Sequence, residues 1–181
     1  MKAKLAIRCC SALLVLALAG CRERTDRTEG TVLLSISDFD GLPVVVSALQ
    51  TPPIVVEQIV IRNVPKDPGS DISELMAVEL RSYEVRYRRR DTGTRVPPPT
   101  VQGLFGSVSP NGTFTVENLP VLFSDQMGNP PISELRNVGV DSETGSDVVV
   151  IDVSIRFFGR TLAGDDVATE PATFTMEVRA Q

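Results

Sequence analysis

The sequence predicts an all-β fold, an antiparallel sandwich of about 7–9 strands occupying 31–181. Three observations carry this. Short segments rich in β-branched and aromatic residues follow one another from residue 31 to the end. Clusters of Gly, Pro, Asn and Asp separate them. The segments near the C-terminus alternate apolar and polar residues, as a sheet with one wet face requires.

In chain order, "TVLLSIS" (31–37) and "LPVVVSALQ" (42–50) read as a hairpin across "DFDG", with Gly41 supplying a positive φ. "IVVEQIVIRNV" (54–64) is apolar at both parities, so it is expected to be buried on both faces or bulged. "PKDPGSD" (65–71) is a loop, and "ISELM" (72–76) suits one helical turn. In "VELRSYEVRYRRR" (78–90), Tyr83, Val85 and Tyr87 face one way, and Glu84, Arg86 and Arg88 the other. Prolines 97–99 cannot donate to a ladder, so they mark an extended edge or a rigid loop. "VQGLFGSVS" (101–109), a "PNG" turn and "TFTVENL" (113–119) form two further strands, with Phe114 and Val116 inward. The irregular stretch 124–139 has room for a short helix at 132–137. The C-terminal third reads as a hairpin. Val149, Ile151, Val153, Ile155 and Phe157 share one face of its first arm, and Phe174, Met176 and Val178 one face of its second.

The pattern resembles immunoglobulin-like and fibronectin-like sandwiches, although the domain has neither Trp nor Cys and so lacks their Cys…Trp…Cys signature. A small closed barrel is the alternative.

The first 30 residues have a different character. Lys2, Lys4 and Arg8 precede "CCSALLVLALAG", twelve residues without a charge. That run is too short to span a membrane, which takes about 20 apolar residues, and it fits the core of a helical signal peptide over 1–20. "LAGC" (18–21) resembles the lipobox of bacterial lipoprotein precursors. The resemblance implies diacylglycerol on the Cys21 sulfur, cleavage before Cys21, and acylation of the new amino group. Several acyl chains on one residue anchor durably where a single chain does not. Arg22 stands where an Asp would imply retention in the inner membrane, so the resemblance implies delivery to the outer membrane, or to the outer face of the cell membrane in a Gram-positive organism. Residues 21–30 then form a polar tether whose nine residues 22–30 reach at most about 30 Å.

Composition narrows the function. The chain carries 18 basic and 23 acidic residues, a net of −5. Loss of Lys2, Lys4 and Arg8 with the signal leaves 15 basic residues and a net of −8. That argues against a nucleic-acid partner and leaves the membrane, reached through the lipid, and another envelope protein as expected partners. The sequence has no His, which removes Ser–His and Cys–His nucleophile systems and His-ligated zinc. Cys9 and Cys10 fall in the expected signal and the lipobox resemblance implies that Cys21 carries the lipid, so no thiol would be left for catalysis or a disulfide. Asp38/Asp40 and Asp165/Asp166 are carboxylate pairs in expected turns, where Asp commonly bends backbone. The expectation is a protein with no catalytic residues and no cofactor.

Two clusters remain as binding candidates. "DSETGSD" (141–147) spaces Asp141, Glu143 and Asp147 as alternate oxygen ligands, similar to a calcium loop, with Gly145 one place early for an EF-hand. The bland alternative is an acidic turn. In "RYRRRD" (86–91), Arg86, Arg88 and Arg90 share one strand face and Arg89 points opposite. The row reads either as a solvated face that discourages aggregation or as a site for an anionic partner.

Overall fold

A computed structural model describes residues 30–69 and 71–181. The lipobox, Cys21 and nearly all of the tether lie outside the described residues.

Among the described residues nine strands form two sheets. They are β1 (Val32–Asp40), β2 (Val45–Ser47), β3 (Ile54–Pro65), β4 (Val78–Arg89), β5 (Thr100–Val108), β6 (Thr113–Leu122), β7 (Val148–Thr161), β8 (Asp166–Ala168) and β9 (Ala172–Arg179). The smaller sheet runs β1-β3-β6 and the larger β2-β9-β7-β4-β5, with β8 paired to β7. Among the described residues, helix is confined to a 3-10 turn at Glu74–Met76 and to α1 (Ser124–Met127) and α2 (Ile132–Val138).

The core lies between the sheets. From the larger sheet it takes the inward row of β7, Val149 through Phe157, and Tyr83, Val85 and Tyr87 of β4. From the smaller sheet it takes Val32, Leu34, Ile59, Ile61 and Val116. The two tyrosines also tie the layers together. Tyr83 donates its hydroxyl to the Pro120 carbonyl at 3.0 Å, and Tyr87 to the Val121 carbonyl at 2.6 Å. Each buried hydroxyl thereby finds the partner that burial demands, and burial pushes the Tyr83 phenol up to about 12.

Strand β3 explains its own mixed pattern. Ile54 and Val56 face inward before Glu57–Gln58, and Ile59 and Ile61 face inward after it. The facing strand β6 changes phase at the same level, around Asn118 with φ of 52°. Apolar residues at both parities therefore mark a switch of the inward side, not a strand buried on both faces.

The expected hairpin of 31–37 with 42–50 does not form. Gly41 has the positive φ, 60°, but β1 runs on to Asp40 and pairs with β3. The second segment shrinks to Val45–Ser47 and joins the other sheet, parallel to β9. Pro43 on its near side and Pro52 and Pro53 beyond it cannot donate to a ladder, which keeps the pairing short. The C-terminal hairpin does form, with Val149 opposite Val178 and Ile155 opposite Ala172. Strand β8 occupies part of its connection and extends β7 beyond β9.

One irregularity shapes the outer face. Arg81 is an extra residue on β4 relative to β7, since Leu80 pairs with Gly159 and Ser82 with Phe158. The backbones close up there. A Cβ on Gly159 would stand 2.7 Å from the Glu79 carbonyl oxygen, so only glycine fits.

Candidate functional site

The predicted binding residues form two groups, an exposed row and a largely buried lock, with Asp147 apart from both. On the outer face of the larger sheet, Arg86, Arg88 and Arg90 lie in the expected row, with side chains 69%, 82% and 64% exposed. Each already has a partner. Arg86 pairs with Glu84 at 2.8 Å, and Arg88 with Asp152 of β7 at 3.0 Å. Arg90 donates to the Thr175 hydroxyl of β9 at 2.8 Å and lies 3.8 Å from Asp152. The Thr175 hydroxyl donates in turn to Asp152 at 2.9 Å. Hydrogen bonds from Arg88 and Thr175 hold the Asp152 carboxyl below the usual carboxylate range. An anion would have to compete with these carboxylates for the same guanidinium groups.

The buried site forms at the end of β4, where the chain turns through 90–95. Arg89 shares the inward parity of Tyr83, Val85 and Tyr87, so its guanidinium enters the interior with its side chain 2% exposed. A buried cation needs anionic partners, and two meet it. Asp91 accepts from Nε at 2.6 Å, and Asp141, fully buried, from Nη2 at 3.1 Å. The backbone of Gly93 passes so close over the guanidinium that any Cβ there would collide with it. Burial alone would raise the Asp141 carboxyl, but hydrogen bonds from the Thr144 hydroxyl and Arg89 outweigh it and lower the group. Asp91 is lowered in the same way by Arg89 and by the N–H groups of Val150 and Gly93.

Arg95 extends the lock outward. It makes a bidentate pair with Glu134 of α2 at 2.6 and 2.8 Å, and donates to the Ser142 hydroxyl at 2.6 Å. Helix α2 carries Glu134 in its first turn, and the left-handed φ of 86° at Gly139 ends the helix and leads the chain into the acidic loop, where the Ser142 N–H and hydroxyl also reach Glu134. Glu143 accepts the N–H groups of Thr94 and Arg95 at 2.8 and 2.9 Å and the Thr94 hydroxyl at 2.6 Å. The Arg95 N–H and the Thr94 donors pull its carboxyl down to about 2.

The structure thus brings Asp141 and Glu143 together with cations and N–H donors of 89–95. Asp147 is separate from them; its backbone carbonyl accepts from Ala180 at 3.0 Å. Among the described residues no group of three or more His, Cys, Asp or Glu is placed to hold a metal ion. The pairing of Arg89 with Asp141 is the feature that sequence reasoning missed. Its signal was present: a charge on the core parity of an otherwise apolar row.

The lowered carboxylates predict acid sensitivity. Each has a folded value below its unfolded one, about 3.9–4.3 for Asp and Glu. Their stabilising contribution is therefore complete above about pH 5 and is lost as pH falls toward the folded values, about 2 for Glu143. Thermal unfolding followed from pH 6 downward should show the melting temperature dropping across that window. Glu143→Gln should flatten the dependence.

A cavity of about 620 Å³ opens beside β1 and β8, within the usual size range of small-ligand pockets. Leu33, Phe158 and Val167 supply apolar surface, while Arg81, Arg156 and Glu170 bring both signs of charge to it. Arg156 is held by the Thr169 carbonyl at 3.0 Å and lies over the Phe158 ring. No convergent polar set defines one ligand there.

Fold and site together define a two-sheet β-sandwich whose loops at one end are locked by ion pairs. No protein-family model matches the chain, and no curated protein matches it. Among the described residues no helix is long and apolar enough to cross a membrane.

Proposed function

We propose that this chain is a lipid-anchored cell-envelope protein, attached through Cys21, whose β-sandwich is a non-catalytic binding or structural module. The observation that carries the reading is the coincidence, within 21 residues, of a basic start, an uncharged apolar core and the LAGC sequence. The absence of His from the chain supports the non-catalytic part. So does the engagement of Asp141 and Glu143 by Arg89, Arg95 and Thr94, which leaves neither as a free acid or base. Attachment through lipid keeps the sandwich within the short reach of residues 22–30 of a membrane surface. With Arg22 after the cysteine, the outer membrane is the favoured destination.

Expression in a bacterial host with fractionation tests the anchor. The wild-type chain should sediment with membranes, and Cys21→Ala should appear in the soluble fraction or as uncleaved precursor. Globomycin, which blocks the lipoprotein signal peptidase, should accumulate a precursor of the wild type. Membrane retention of a processed Cys21→Ala chain, or processing indifferent to globomycin, would refute the reading.

A further inference from the structure

Strand β5 is the long open edge of the larger sheet, opposite the three-residue β2: β4 pairs with one side of it, and no described strand pairs with the other. Its outer row is exposed, with Val101 at 61% and Phe105 at 91%. No residue between Arg95 and Glu117 carries a charge, in a chain with 41 charged side chains. Sheet edges are ordinarily protected by charges, bulges or covering segments. Here prolines stand at the two ends, Pro99 before the strand and Pro110 after it, and the ladder with β4 has one irregularity, where Leu80 pairs with Gly106 and Ser82 with Gly103; the outward row of Val101, Gly103, Phe105 and Ser107 runs through it unbroken. A long, uncharged edge with an almost fully exposed aromatic side chain is a surface built to be paired.

We infer that the occupant is β5 of a second copy of this chain, joined antiparallel about a twofold axis at Leu104. The prolines restrict pairing to 100–108, and complete overlap of that span with itself centres on Leu104. In this register Phe105 stands opposite Gly103 of the second copy, and Gly103 opposite the second copy's Phe105. Gly103 has no atom within 4 Å of where a Cβ would stand, so its outer side is open to receive the ring. An aromatic side chain laid across a facing glycine is a stabilising cross-strand arrangement, and the two rings flank the axis at the diagonal spacing that aromatic side chains span. Such an interface is isologous and closes at two copies.

Charge favours a second copy over a charged partner strand. Two copies carry the same net sign, and an edge without charge lets them meet with no like-charge pair at the seam. The nearest outward acidic side chains, Glu79 and Glu84 of β4, pair in register with Ser107 and Val101. Across the joined edges they lie about three strand spacings, roughly 14 Å, from those of the other copy, beyond the screening length of about 8–10 Å. A charged partner strand would find no countercharge on β5.

Sedimentation velocity of the full-length chain, in density-matched detergent with reductant, tests the pairing. The expected result is a monomer–dimer equilibrium. Phe105→Lys and Gly103→Asp should each raise the dimer Kd roughly tenfold or more, while melting temperatures measured well below the wild-type Kd, where every chain is a monomer, stay unchanged because both positions are open to solvent. Leu33→Lys, on an exposed position of β1, should leave the Kd as it was. A wild-type chain that stays monomeric at every concentration overturns the inference, as does a dimer that keeps its affinity in either β5 variant. Dimerisation and membrane attachment are read by different assays, so one can fail while the other holds.

Discussion

Replacing Arg89 by Met should destabilise the domain by about 3–5 kcal/mol, the cost of leaving a buried partner charge uncompensated. Asp141 is fully buried and Arg89 nearly so, so removal of the cation strands a carboxylate where water cannot replace it. At about 2–4 °C per kcal/mol for a chain of this size, the melting temperature should fall by roughly 6–20 °C. Asp141 would retain Thr144 and the edge of Arg95 at 3.4 Å, which softens the loss without replacing the lost hydrogen bond. The combined Arg89→Met/Asp141→Asn variant should lose less than the two single losses added, because the stranded charge is then gone. A change within about 0.5 kcal/mol for Arg89→Met alone, the range of ordinary surface substitutions, would show that the lock contributes nothing. The loops at 91–95 and 141–144 would then need another explanation for their conformation.

The second large effect is expected at Phe157. This ring is fully buried on the central strand β7 and packs against Tyr83 with centroids 6.0 Å apart. Phe157→Ala removes the apolar contact and leaves a cavity between the sheets, at a cost of about 3–5 kcal/mol. Phe105→Ala is the matched comparison: the same substitution at a side chain 91% exposed should change the stability of the single chain by no more than about 0.5 kcal/mol. Denaturant unfolding of both variants measures the difference. Equal losses would mean that Phe105 is not on an open edge, and would remove the basis for the pairing of β5.

Much of the fold is legible because side-chain direction along a strand is a local property. The alternations in 78–90, 148–159 and 172–180 assign Tyr83, Ile151, Phe157 and Met176 to the interior, and each is buried. The helical turn at 74–76 and the helix over 132–138 are also local matters of capping and spacing. Pairing is not local. Val45–Ser47 joins β9, more than 130 residues onward, and nothing within 42–50 encodes that choice. The ion-pair lock is legible by half. Parity sends Arg89 inward, but its partner Asp141 lies 52 residues away in a loop whose acidic spacing resembles a calcium site. The loop's carboxylates have another use once 89–95 is folded against them. The same parity that places Arg86, Arg88 and Arg90 on one face could not show that Glu84 and Asp152 would meet them there.

The central claim is covalent attachment at Cys21, and mass measurement of the N-terminal fragment of the membrane-extracted protein tests it most directly. The account predicts a fragment that begins at Cys21 and carries the added mass of diacylglycerol, with or without a further acyl chain on the amino group. A fragment that begins at Met1, or an unmodified Cys21, would contradict it.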